Sequence, residues 1–198
     1  MARDLKKGAS ENAHIVFIDE AGLMMDPLRR RGYAPRGDRP ILTQLFGPRK
    51  KVSIIAGLSI SPCNRHPNLY FQTLPDGSFR SANVADFLRD LLKHLRGRVI
   101  VVWDNGPMHK GQAMRDLLRD YPRLSIEHLP AYSPEFNPVE QLWSHLKYGH
   151  CANLIPESLD HLENDAIDFL IDTKYNGKLL QSYWEQTPLI DSMRNESP

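Results

Sequence analysis

Apolar and polar positions along the chain follow two different periods. His14 to Asp19 (HIVFID) is apolar up to a terminal carboxylate and reads as a strand bounded by a turn at Gly22. Lys50 to Ile60 (KKVSIIAGLSI) and Asn68 to Leu74 (NLYFQTL) are two more β-rich runs, the second closed by the turn residues Pro75, Asp76 and Gly77. The period then lengthens. Val84, Phe87, Leu88, Leu91, Leu92 and Leu95 recur at helical spacing, with Asn83 placed to cap the start and Gly97 to close the end. Arg98 to Trp103 (RVIVVW) is a continuous apolar run of the kind buried on both faces of a sheet. Ala113, Met114, Leu117, Leu118 and Tyr121 make a second helical stripe, ended by Pro122, and LSIEHL after it is a fifth strand. Phe136, Val139, Trp143 and Leu146 stripe a third helix, with Pro134 and Pro138 in the loop and opening turns.

Three strands followed by helix, strand, helix, strand and helix imply an antiparallel meander continued by parallel strands with crossover helices. The expected class is therefore α/β, with a mixed five-stranded sheet flanked by helices. Residues 1–13 read as a polar leader or linker, 14–150 as the main domain, and 151–198 as a helical extension of that domain. In the extension, Leu159, Leu162, Ala166, Phe169 and Leu170 form one stripe and Leu179, Leu180, Tyr183 and Trp184 another, separated near Asn176 and Gly177. These helices either cover the sheet or make a dimer contact.

Composition narrows the setting. A chain of 198 residues, 41% of them hydrophobic, can bury the core of one large domain. No stretch approaches the roughly 18 uncharged apolar residues of a membrane span, and MARDLKKGASENAH has no signal-peptide apolar segment, so a cytoplasmic, membrane-free location is expected. Cys63 and Cys151 have no paired metal-ligand spacing and read as ordinary thiols; His145, His150 and Cys151 lack the further pair that zinc would require. The net charge of +1 conceals a cluster. Arg29, Arg30, Arg31, Arg36, Arg39, Arg49, Lys50 and Lys51 are opposed only by Asp38 between positions 29 and 51, a patch able to neutralise phosphates.

Acidic side chains stand where the apolar runs stop. Asp19 ends the first strand, Asp104 follows RVIVVW, and Glu140 shares a polar helix face with Ser144 and Lys147. Alone, each aspartate is an ordinary turn residue. Together, two strand-end aspartates and a helix-borne glutamate are what a two-metal phosphoryl-transfer site needs, with Mg²⁺ or Mn²⁺ relieving their mutual repulsion. Glu20 and Glu135 are rivals. Successive strand side chains face opposite ways, so only one of Asp19 and Glu20 can enter the site; Glu135 sits early enough to be a first-turn residue favoured by the helix dipole. Trp103 and Trp143 read as core.

The set FIDEAG, WDNGPMHK and AYSPEFNPVEQLW resembles the catalytic domain of mariner-like transposases and their bacterial insertion-sequence relatives, the Asp-Asp-Glu enzymes with a ribonuclease H-like fold. The resemblance runs from about His14 to Lys147, and RRGYAPRGDRP is similar to the basic loop after the first strand of the bacterial relatives. It implies that Asp19, Asp104 and Glu140 are the catalytic carboxylates and hold two Mg²⁺ or Mn²⁺ ions. Asn105 and His109 fall where the family has polar neighbours of the second aspartate. Thirty-five residues separate Asp104 from Glu140, one more than in many mariner relatives.

The implied activity is hydrolysis of a phosphodiester at the element end, then attack of the freed 3′-hydroxyl on target DNA. Arg29, Arg30, Arg31, Arg36, Arg39 and Lys147 would hold phosphates. The resemblance further implies a TA target, a homodimer pairing two ends, and a bacterial, nucleoid-associated setting. Such transposases carry helix-turn-helix domains before the catalytic strand that here begins near residue 14, so a separate DNA-reading chain, or loss of that part, is expected. Two alternatives stand beside this reading: a ribonuclease H-like nuclease without strand transfer, and a domesticated or truncated remnant that binds only DNA or a partner chain.

Overall fold

The first apolar run becomes the central strand. In a computed structural model that describes residues 12–26, 28, 30–31, 35–37, 50–62, 66–106, 111–130 and 133–188, β1 spans His14–Met24 and does not end at Asp19. Its continuation has a physical cause. β2 (Lys51–Ile60) pairs with it antiparallel from Ile15 opposite Ile60 to Met24 opposite Lys51, giving the backbone beyond Asp19 partners as far as Met24. β3 (Pro67–Pro75) pairs antiparallel with β2, while β4 (Val99–Trp103) runs parallel to β1 and β5 (Leu124–His128) parallel to β4. The strand order is β3-β2-β1-β4-β5, the mixed sheet that the pattern predicts.

Alternation along β1 separates two cores. Val16 and Ile18 face α1 (Ser81–His94) and α2 (Gln112–Asp120) with Phe87, Leu88, Leu91 and Leu117. Ile15, Phe17, Ala21 and Leu23 face α3 (Val139–His145), α4 (Leu159–Tyr175) and α5 (Gly177–Glu185). The C-terminal helices therefore cover the sheet, and Trp184 of α5 meets Phe17 edge-on at 5.3 Å between ring centroids. The chain turns between them at Asn176, whose side chain accepts from the Leu179 amide. No helix among the described residues is long and apolar enough to cross a membrane.

Two helix boundaries differ from expectation. α1 starts at Ser81, so Asn83 is its third residue; instead of capping the first turn directly, Asn83 reaches back and accepts from the Arg80 amide at 3.1 Å. The third helix is interrupted. Pro134–Phe136 form a 3₁₀ turn, Asn137 breaks the coil because the following Pro138 disfavours helical backbone there, and α3 begins only at Val139. After α3 the chain widens into a π turn, Leu146–His150, closed by the Cys151 amide donating to the Leu146 carbonyl at 2.8 Å.

Candidate active site

Parallel pairing between β1 and β4 stops at Phe17 opposite Val102. Asp19 and Asp104 are each two residues further on, so the two carboxylates leave the sheet at one level on neighbouring strands, which lie roughly 4.8 Å apart. Both belong, by alternation, to the face that α3 covers. Glu140, an exposed residue in the first turn of α3, supplies the third wall of a cavity of about 500 Å³ that Asp19, Asp104, Asn105 and Asn137 also line. Glu140 is thus nearer the helix start than the sequence pattern predicts, because the break at Asn137 moves the start forward. Glu135 is exposed on the preceding 3₁₀ turn and does not line this cavity.

The helix start is held against β1 by Asn137, which is 5% exposed. Its Nδ2 donates to the Ile18 carbonyl at 3.5 Å and its Oδ1 accepts from the Val139 amide at 3.1 Å, placing Glu140 opposite Asp19. Behind it Val139, Leu142 and Trp143 are buried against the sheet. Asp104 lies in an exposed turn: its Oδ1 accepts from the Gly106 amide at 2.9 Å, and its carbonyl faces His128 Nδ1 at 3.2 Å.

Asp19 carries the electrostatic signature of convergence. Its carboxyl is pushed up to about 7, first by burial and then by the neighbouring negative charge of Glu140 and, more weakly, Asp104. Trp143 acts in the other direction: its indole Nε1 donates to Asp19 Oδ2 at 3.0 Å and favours the charged form. Trp143 is 3% exposed and belongs to the core, as its spacing suggests, yet it also fixes the orientation of a site carboxylate. Sequence reading missed this second role. Its three-residue offset from Glu140, which places both on one helix turn, was the available signal. Replacing Trp143 by Phe keeps most of the apolar volume and removes the donor, so Mn²⁺ affinity is expected to fall roughly 10- to 100-fold with the fold retained. Calorimetric titration beside a circular-dichroism melt checks it.

Glu20 goes to the other side of the sheet. It does not line the cavity, its carboxyl is pushed up to about 8 by burial and by the charges of Asp19 and Asp104, and its buried Oε1 has no hydrogen-bond partner. Lys147 does not line the Glu140 cavity. Seven residues beyond Glu140, it lines a second cavity beside Tyr148, over whose ring the Arg30 guanidinium sits at 5.0 Å. Arg31 and Arg36 are exposed. Arg29, Arg39 and His109 lie outside the described residues. His145 bonds the Tyr183 hydroxyl at 2.7 Å, while His150 pairs with Asp165 at 3.0 Å.

The chemistry of the donors fits a hard divalent cation: carboxylate oxygens gather at one cavity, where repulsion from Glu140 and Asp104 adds to burial in raising Asp19. Among the described residues no three His, Cys, Asp or Glu side chains stand close enough to share an ion as they are placed.

The family described as DDE superfamily endonuclease matches residues 14–163 of the chain. Three solved structures are similar. The Mos1 strand transfer complex is 22% identical with a TM-score of 0.64, covering 98% of this chain and 55% of that one. The Mos1 mariner paired end complex with Mn is 20% identical with a TM-score of 0.64, covering 98% and 56%. The catalytic domain of Mos1 mariner transposase is 18% identical with a TM-score of 0.55, covering 93% and 80%. At these identities the likeness is one of fold, the ribonuclease H-like arrangement, and this chain spans just over half the length of the chains in the two complexes. No curated protein matches.

Proposed function

Because this chain belongs to the DDE superfamily endonuclease family, we propose that it is the catalytic domain of a DNA transposase, cutting phosphodiesters at element ends and joining the freed 3′ ends to target DNA. The observation that carries the proposal is the convergence at one cavity of Asp19 and Asp104, level on adjacent parallel strands, with Glu140 on the helix packed across them. In this reading the three carboxylates hold Mg²⁺ or Mn²⁺, two ions in the complete site. Divalent ions bound there supply Lewis-acid polarisation at phosphorus and an activated attacking oxygen. The chain's own residues bind and orient: Trp143 fixes Asp19, Asn137 fixes the start of α3, and Asn105 faces the cavity beside Asp104. Hydrolysis and strand transfer are both in-line displacements at phosphorus, so one such site serves both.

DNA is the proposed partner, with Arg30, Arg31, Arg36 and Lys147, and with Arg29 and Arg39 of the same basic segment, as phosphate contacts. A homodimer pairing two ends, a TA target and a DNA-reading domain on another chain belong to the same proposal. Mos1, a fold relative, has been solved as a strand transfer complex and as a paired end complex with Mn, which supports both the DNA and the metal.

The test is a calorimetric Mn²⁺ titration of the wild type beside Asp104→Ala. Affinity is expected to fall at least roughly tenfold in the variant; equal affinity in two folded proteins would overturn the assignment of Asp104.

A further inference from the structure

The second cavity lies along the same seam as the first. It measures about 380 Å³ and opens between the end of β1 (Gly22, Leu23, Met24) and the π turn that carries Lys147 and Tyr148. From Asp19 it is three to five residues along β1, and a strand advances about 3.3 Å per residue, so the two cavities are roughly 10–16 Å apart. Each strand of duplex DNA carries a phosphate every 3.4 Å of helix axis, making that separation about three to five nucleotide steps.

The second cavity sets apolar walls beside cationic side chains. Tyr148 is 46% exposed although it is a large ring, and Met24 and Leu28 beside it are 43% and 40% exposed. Arg30 sits over the Tyr148 ring, and Lys147 lines the wall. Asp26 is the only carboxylate lining it among the described residues. The arm that carries Arg30 is tied in place. Asn153, held at a positive φ of 60°, donates its amide to the Leu28 carbonyl at 3.1 Å and accepts from the Arg30 amide through Oδ1 at 2.8 Å. Leu28 also bridges Ala152 in parallel register. The backbone that carries the cation is thereby held at Leu28 and at Arg30.

We infer that the Tyr148 cavity is a second DNA-binding subsite, which stacks an unpaired nucleotide three to five steps from the phosphate at the carboxylates. The inference rests on the proposed DNA function. An apolar floor with a cationic rim suits a base and its phosphate: the base adds to the Arg30–Tyr148 stack, and Lys147 offers its charge to the phosphate. A pocket of this size is within the range that holds small planar ligands.

The experiment measures anisotropy of a fluorescein-labelled 12-nucleotide oligothymidine with the full chain in Ca²⁺ buffer, over a series of salt concentrations. Tyr148→Ala is expected to raise Kd by roughly fivefold to a hundredfold, the loss of one base–aromatic stack, while Tyr148→Phe retains wild-type affinity. Lys147→Ala is expected to lower the salt slope by about one. Equal Kd for wild type and Tyr148→Ala, or no binding by the wild type, overturns the subsite. So does a change in sedimentation of Tyr148→Ala without a change in DNA affinity, which would make the cavity a contact between copies of the chain. Mn²⁺-dependent nicking of supercoiled plasmid by Asp104→Asn separates the two levels. If that variant nicks like the wild type, the catalytic reading fails whatever Tyr148 does; if nicking is lost but Tyr148→Ala binds normally, only the subsite fails.

Discussion

Asp104→Asn is expected to lower Mn²⁺-dependent plasmid nicking roughly 10³-fold or more while leaving the melting temperature nearly unchanged. The two halves of that expectation have separate causes. Asn keeps the oxygen that accepts from the Gly106 amide, so the turn after β4 survives. It loses the negative charge that a hard cation requires, and with it several kcal/mol of charge stabilisation at phosphorus, each 1.36 kcal/mol being about tenfold in rate. Glu140→Gln is expected to behave alike, because Glu140 is exposed in the first turn of its helix and its replacement disturbs no packing. Two controls sharpen the result. Glu135→Gln, on the exposed 3₁₀ turn, should nick like the wild type, and Glu20→Gln, on the opposite face of the sheet, should retain the chemistry. Gel quantification of nicked circles at saturating protein ranks all four. Loss with Glu135→Gln and retention with Glu140→Gln would show the helix acid to be misassigned.

Much of this arrangement is legible in the chain because period and face are local properties. The change from two-residue to helical spacing at Val84, and the uninterrupted RVIVVW, carry the order of elements and the mixed sheet. FIDEAG, WDNGPMHK and AYSPEFNPVEQLW carry the family, and the family match from 14 to 163 extends past the Lys147 limit of the resemblance. What the pattern does not carry is where an element stops, since that is decided by partners distant in sequence. β1 runs on to Met24 because β2 pairs with it throughout, and no signal within GLM announces that. The π turn is similarly hidden: helical spacing carries on through Leu146, and the widening shows only in the bond from the Cys151 amide to the Leu146 carbonyl. Trp143 looks like core by spacing because it is core. Its hydrogen bond to Asp19 depends on two elements 124 residues apart meeting at 3.0 Å.

The same convergence makes a second large prediction, on stability. In EDTA the melting temperature is expected to fall as pH rises from about 5 to about 8. Unfolded, Asp19 and Glu20 lose their protons near 3.8 and 4.5; folded, burial and mutual repulsion hold them protonated until about 7 and about 8. Across that interval the native state binds more protons than the unfolded one, so unfolding becomes easier as pH rises. The penalty is absent below about pH 4 and complete above about pH 8. Moving one carboxyl from 3.8 to about 7 corresponds to about 4 kcal/mol, and partial exposure of Asp19 with coupling between neighbours reduces the expected loss to about 2 kcal/mol, or about 4–8 °C for a domain of this size. Glu20→Gln and Asp19→Asn should each raise the melting temperature at pH 8 and flatten the pH profile, and a profile that is already flat in the wild type would sink the account. Saturating Mn²⁺ separates the two variants. It should stabilise the wild type and Glu20→Gln but hardly Asp19→Asn, because only Asp19 faces the cavity while Glu20 contributes repulsion from behind it. A residue whose neutralisation stabilises the fold and removes the metal response is one kept for its charge.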